Sequence, residues 1–318
     1  MALKSGLAAQ IGIKTETTWG TAVTVDRFAP LVSEGLTEKI DRMESGGIIA
    51  GARVLRSAQW AAGNVDVSGP IGLELYQQGM GLWFRHMFGA VSTTGAGPYT
   101  HTFAPGDLTD DHFTCQIGKP DVSGTVQPFT FAGCKIMGWE LAAKAGELVT
   151  LGLDVVGKSL ATGTALATAT FGTGAGTPFS FKHATVSIAG SSANVKGITL
   201  KGANGLAADG RRFLGSEFIA EPLEAELREY TAELDMEFES LTQMNYFRNA
   251  SENALVLTID AGSAAKCVIT TNVRYDGSSP TVEGRGLTQL KVPVKCVGAS
   301  TDAGAITAVL TNSDATPT

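Results

Sequence analysis

"FTFAGCKIMGWELAAKAGELVTLGLDVVG" runs from Phe129 to Gly157, and its reading decides the fold class. Met137, Trp139, Leu141 and Ala143 recur at every second position before "KAGE", and Val149, Leu151, Leu153 and Val155 do so after it. A period of two puts each set on one face of a strand, and Gly146 supplies the turn between them. The segment reads as an antiparallel hairpin or meander. Downstream, "FSFKHATVSIAGSSANVKGITLKGANG" repeats the plan, with a polar "GSSAN" turn between two strands. "ALVLTID", "KCVITTNVRYD" and "LTQLKVPVKCVG" add further runs rich in β-branched residues, again strand chemistry.

The same chemistry opens the chain. In "QIGIKTETTWGTAVTVDRF", Gln10 to Phe28, the runs "IGIKT" and "AVTVDRF" flank "ETTWG". They predict a hairpin with Trp19 at its tip, where solvent is expected. One segment carries a different period. In "GPIGLELYQQGMGLWFRHMFGA", Gly69 to Ala90, the residues Leu73, Tyr76, Met80, Trp83 and Met87 are spaced by three and four. That spacing predicts a helix near 71–88 with one apolar face and Pro70 at its start. Gly79 and Gly81 weaken it by about 1 kcal/mol each, so the stripe must pack on something apolar, most simply a sheet. Residues 157–178, "VSTTGAGP" and the tail at 298–318 are rich in Gly, Thr, Ser and Ala and low in charge. They read as long loops and a flexible C-terminal tail. The openings "FTFAGCKI" and "FSFKHATV" are alike, but too briefly to establish a repeat.

Hydrophobic residues make up 43% and charged residues 17% of the 318 residues, so a sizeable core is available. A net charge of −7 argues against a general nucleic-acid binder, which needs a basic face to displace counterions. Cys115, Cys134, Cys267 and Cys296 are far apart and form no CxxC pair, so buried thiols are expected rather than a zinc site or disulfide framework. "MALKSGLAAQ" lacks the apolar core of a signal peptide, and there is no run of 18 apolar residues. A soluble protein made in a cytoplasm is the expectation.

"YTAELDMEFES", Tyr230 to Ser240, admits two periods. A helix would align Leu227, Tyr230, Leu234, Phe238 and Leu241. A strand would place Tyr230, Ala232, Leu234, Met236 and Phe238 on one face and Glu233, Asp235, Glu237 and Glu239 on the other. Ala232 and Met236 fit the second pattern and fall off the first, so the strand is preferred. From Glu217 to Glu239 nine acidic residues stand against one basic residue, Arg228. Such a run is most often a solvated face; the functional alternative is a surface that repels anions or binds cations.

Enzyme signatures are absent: there is no GxSxG elbow, phosphate loop, HExxH or paired CxxC. His101 and His112 flank "APGDLTDD", which holds Asp107, Asp110 and Asp111. This set could host a metal but reads better as a polar loop. No cofactor is implied. A carbohydrate-binding module would need exposed aromatics on a sheet face, and the tryptophans are only Trp19, Trp60, Trp83 and Trp139.

The N-terminal hairpin, "GPIGLELYQQGMGLWFRHMFG", "FTFAGCKIMGWEL…GELVTLGLDVVG" and "FSFKHATVSIAG…VKGITLKGANGL…DGRRFLGS…REYTAELDMEFES" occur in an order that resembles bacteriophage tail tube proteins across most of the chain. The resemblance implies a mainly β fold, a sandwich or barrel with a flanking α-helix, with residues 1–318 as one tail tube domain. It implies assembly into hexameric rings stacked as a hollow tube, a tape-measure protein inside during assembly, and DNA passing on ejection. The virion tail, and the host cytoplasm during assembly, are the implied locations. The fold is also similar to tube proteins of contractile tails and of the type VI secretion apparatus. A capsid decoration or tail-terminator protein is the alternative within virion parts. Two site expectations follow: Glu233, Asp235, Glu237 and Glu239 face the lumen, and Trp19 lies in a contact between subunits or rings.

Overall fold

A computed structural model describes residues 5–171, 176–262, 264–277, 279–280, 282 and 285–317. Strand β1 (Gln10–Thr15) pairs with β2 (Arg27–Ala29), and β3 (Leu31–Glu34) and β4 (Thr37–Glu44) follow each other along β5 (Trp60–Glu74). Helix α1 (Gly81–Phe88) leads into the hairpin of β6 (Gly89–Thr94) and β7 (Tyr99–Pro105). A meander of β8 (Phe113–Pro120), β9 (Val126–Lys144) and β10 (Thr150–Gly157) comes next, and β11 (Ser159–Ala161) returns to β9. Then come the small hairpin β12 (Ala184–Ile188) and β13 (Ser191–Ala193), the long β14 (Val195–Ala203), and a ribbon of β15 (Leu206–Ala207) and β16 (Leu223–Glu224). The chain ends with β17 (Glu229–Glu237), α2 (Thr242–Arg248), the hairpin β18 (Glu252–Asp260) and β19 (Lys266–Tyr275), β20 (Gln289–Cys296) and β21 (Ile306–Asn312).

All pairings are antiparallel. The main sheet runs β5–β10–β9–β14–β17–β20. Two long strands turn its corners. The C-terminal half of β9 lies between β10 and β14, while its N-terminal half pairs with β8, which carries β1 and β2. Gly133, at φ +66, sits at that change of partner, a backbone state that suits glycine. Likewise β19 pairs with β20 through Val273–Tyr275 and with β21 through Lys266–Thr271, leading on to β7 and β6. The sheet thus wraps over one apolar core that α1 fills. Phe84 packs on Phe103 of β7 at 5.6 Å, Phe88 on Trp139 of β9 at 5.4 Å, and Trp83 on Phe113 of β8 at 6.1 Å. Each such side chain contributes about 1.5–3 kcal/mol by leaving water.

The Phe129–Gly157 reading holds in register, with Leu141 opposite Leu151, Trp139 opposite Leu153, and Gly146 at φ +88 in the turn. Residues 230–237 form a strand, as preferred. Four expectations need correction. First, the helix starts at Gly81, because residues 69–74 belong to β5. Ile71, Leu73 and Leu75 are buried at a period of two, and Gly79 at φ +77 breaks any helix before residue 80. Leu73, Met80, Trp83 and Met87 still reach the core, two elements sharing a stripe that looked like one. Secondly, "GSSAN" does not join partner strands. Ala189 and Gly190, both at positive φ, return β12 at once into the three-residue β13, and β14 runs away to β9 and β17. Thirdly, the C-terminal tail holds β21, with Ile306, Ala308 and Leu310 buried between β19 and β7. Its alternation was hidden by short side chains. After it, Asp314 accepts a hydrogen bond from Gly79 N at 2.8 Å. Fourthly, "VSTTGAGP" contributes Val91–Thr94 to β6, and in the N-terminal hairpin the second strand starts only at Arg27. Residues 157–178 are largely irregular where described, held by Gln10 Nε2 to Ala167 O at 2.7 Å and Gln116 Nε2 to Ala165 O at 3.0 Å.

Candidate functional site

The acidic strand carries its charge outward. Along β17, Tyr230, Ala232, Leu234 and Met236 are buried, while Glu233 is exposed and Asp235 and Glu237 are half-exposed. Glu239 follows the strand and accepts from Asn194 Nδ2 at 3.1 Å. The carboxylates do not simply repel one another, because the flanking strands answer them. Lys291 of β20 lies 3.4 Å from Glu233, Lys196 of β14 lies 2.9 Å from Glu237, and Lys295 pairs with Glu229. On the next strand over, Lys201 reaches Glu140 at 2.9 Å, and that hydrogen bond raises the lysine pKa. Asp235 and Glu239 form no ion pair among the described residues. Toward the Glu229 end of the strand, Gly72, Gly138, Gly152 and Gly202 help line a shallow groove with Thr231. Each exposed ion pair adds only ~0–1 kcal/mol, so the face is a charged, smooth surface more than a stabilising device.

Trp19 is half-buried and lies against its own chain. Its ring stands edge-on to His112 with centroids 5.4 Å apart, and a Cβ on Gly133 would come within 3.2 Å of it. Beneath it, the carboxylate of Glu16 is sealed from solvent. Glu16 accepts from Thr114 Oγ1 at 2.8 Å, Gly133 N at 2.9 Å and Gly20 N at 3.0 Å, and His112 Nδ1 lies 3.1 Å away. "ETTWG" is thus a loop wound around its own glutamate. Gly20, at φ +67, lets the chain turn back so that its N–H points at the carboxylate.

A feature that sequence reading missed is the arm formed by the outer ends of β4 and β5 and the loop between them. Met43 is 59% exposed, Ile48 98%, Val54 69%, Leu55 46% and Trp60 49%. The arm is ordered within itself: Gln59 Nε2 donates to Gly47 O at 2.7 Å, Ser45 N to Gln59 O at 2.6 Å, and Arg42 lies over the Trp60 ring at 5.7 Å. The signal available was "GGIIAGARVLRS", apolar residues among glycines with neither helical nor strand period.

A family model described as phage tail tube protein matches residues 6–296. The chain belongs to the phage tail tube protein family. A tail tube protein is a structural component of the virion tail, and the mainly β architecture with its flanking helix accords with that family. No curated protein matches the chain significantly. No helix among the described residues is long and apolar enough to cross a membrane.

In this tail tube protein the polar loop between His101 and His112 is tied into the structure. His101 is buried elsewhere, bonded to Thr93 Oγ1 at 2.8 Å and Asp314 O at 3.0 Å. Asp110, His112 and Glu221 do converge. Glu221, however, is already met by the Lys135 ammonium and accepts from Asp110 N at 2.8 Å. Lys135 is itself buried and donates to Leu108 O at 2.7 Å and Pro222 O at 3.0 Å. A fixed ammonium occupies the charge role a cation would take. Asp111 belongs to a second buried pair, 3.0 Å from His86 Nδ1 and 3.6 Å from Arg85 Nε. Burial works to raise the Asp111 pKa, but His86 and Arg85 outweigh it and hold the carboxyl below its usual value. The four cysteines are buried, and burial pushes the Cys267 thiol up to about 12.

Proposed function

We propose that the chain assembles into hexameric rings that stack into the hollow tube of a phage tail, through which double-stranded DNA passes on ejection. The observation that carries this reading is the apolar arm at residues 40–60. A monomer gains nothing from holding Ile48, Val54 and Leu55 in water, whereas a neighbouring copy that covers them gains their transfer free energy. Open edges favour the same outcome, since β4, β6 and β13 each have one strand partner among the described residues, and a ring can protect or pair such edges.

In this reading the outer face of the main sheet lines the lumen, with Glu233, Asp235, Glu237 and Glu239 directed at the passing DNA. Support comes from the small and charged side chains of that face. Lysine pairing leaves Asp235 and Glu239 as the uncompensated members, so the wall is weakly rather than uniformly anionic. Weak repulsion of phosphates lets DNA slide without adhering. Trp19 keeps an exposed side, and we place it in a contact between subunits or rings. A tape-measure protein fills the tube during assembly in the host cytoplasm.

Electron microscopy of the purified protein tests the reading. Long hollow tubes with six-fold projections are expected. Isolated monomers or trimers under assembly conditions would overturn it in favour of a decoration or terminator role.

A further inference from the structure

We infer that the tip of the arm, residues 45–59, seats in an acidic cleft of the neighbouring copy, formed where β16 and β17 meet the 298–305 loop. The inference rests on self-assembly and names the surfaces that carry it.

The tip has a definite chemistry. It holds Arg53 and Arg56 and no acidic residue. Val54 and Leu55 lie between the two arginines, all four residues are exposed, and neither guanidinium has an acidic partner among the described residues. The tip is held in shape by the Gln59 side chain, whose Oε1 accepts from Arg56 N at 2.9 Å. Little ordering entropy remains to be lost on docking.

The cleft has the complementary chemistry. It encloses about 830 Å³, within the size range of sites that hold a ligand or an inserted side chain. Its single cation, Arg228, is consumed internally, donating to Phe88 O at 2.9 Å, to Gly106 O and to Glu224. Asp107, Glu226 and Asp302 on the rim form no ion pair among the described residues, and Asp107 accepts from Thr109 N at 2.8 Å. Leu227 is fully exposed beside them, and Tyr230 is buried at the floor. Three carboxylates around an apolar lip match two arginines around Val-Leu. Arginine at the rim of an apolar contact steers docking and rejects wrong partners.

Topology explains why the arm belongs to a neighbour's cleft. The register places Glu229 of β17 level with Pro70 of β5, four strands away, so the arm, which starts at Trp60, overhangs the cleft by ~33 Å along the strands. The arm projects along its own strands, so it does not fold sideways onto its own cleft. A copy displaced along the strands by about that overhang presents its cleft at the level of the arm tip. Such a heterologous contact links copies that follow one another along the strand direction.

Charge exchange tests this directly. Arg53→Glu with Arg56→Glu raises the critical concentration for assembly about tenfold or more, because like charges then face each other. Adding Glu226→Lys and Asp302→Lys to that variant restores assembly, measured by sedimentation and microscopy. As a second readout, an Arg56→Cys, Asp302→Cys variant forms disulfide-linked ladders on oxidation of assembled protein. Normal assembly of the arm variant, absence of rescue, or absence of ladders while wild-type tubes form would overturn the inference alone. Wild-type protein that never assembles would overturn it together with the tube reading.

Discussion

Replacing Glu16 probes the device on which the N-terminal loop is built. Its carboxylate receives three hydrogen bonds, from Gly20 N, Thr114 Oγ1 and Gly133 N, and faces His112 Nδ1. Glu16→Ala leaves those four groups without their acceptor beneath Trp19. At about 1–3 kcal/mol for each stranded buried group, the loss comes to roughly 4–8 kcal/mol after partial relaxation. That is a large share of the ~5–15 kcal/mol that holds a typical domain together. Glu16→Gln separates charge from hydrogen bonding. Its carbonyl oxygen still accepts from Thr114 and Gly133, while its NH₂ group meets His112 and Gly20 N. Neutral His112 can present Nδ1 as an acceptor, so only the Gly20 N–H is stranded, at ~1–3 kcal/mol. Urea unfolding of unassembled protein at fixed concentration measures both, with stability falling from wild type to Gln to Ala. A Glu16→Ala protein within about 1 kcal/mol of wild type would refute the reasoning, since the loop would then owe its shape to something else.

Asp111→Asn tests the second buried pair through pH. A carboxyl held below its usual 3.8 contributes stability above that value and loses it as pH falls through the lower folded pKa. Wild-type Tm should therefore fall more steeply than that of the variant below about pH 4, and parallel curves would remove Asp111 from the account. Trp19→Ala should impair polymerisation while the chain stays folded, with a stability loss of about 1–3 kcal/mol from the exposed His112 face; normal tubes would confine Trp19 to its own subunit. Reversing Glu233, Asp235, Glu237 and Glu239 to lysine should leave tubes intact and slow DNA ejection, with unchanged ejection ending the lumen assignment. Asp314→Ala should cost ~1 kcal/mol by freeing Gly79 N, seen as a small drop in Tm.

Strands with one buried face were legible because their period survives in the sequence. Leu141 and Trp139 against Leu151 and Leu153 is the clearest case. β5 was misread because its end and α1 abut with only a few residues between them. Leu73 from the first, Tyr76 just beyond it, and Met80, Trp83 and Met87 around the second happen to continue one helical spacing. Local pattern carries no mark of which element delivers a side chain to a shared core. β21 was missed for the opposite reason: Ala308, fully buried, has too small a side chain to signal a strand.

The acidic strand shows the same limit at the level of charge. Its alternation is local and was read correctly, but its electrostatics are not local.

 Lys196 lies 41 residues from its partner Glu237, and Lys291 lies 58 residues from its partner Glu233. Only the register of β14 and β20 against β17 brings these lysines alongside. A run of nine acids therefore overstates the field that its surface exerts. The same holds for Glu224, which the sequence counts as free charge and the fold commits to Arg228. What survives the pairing is narrower and more informative: Asp235 and Glu239 on one face, and Asp107, Glu226 and Asp302 around the cleft. Those are the charges that a second molecule, DNA or a neighbouring copy, would meet, and they are where substitutions should change assembly or passage while the fold stays intact.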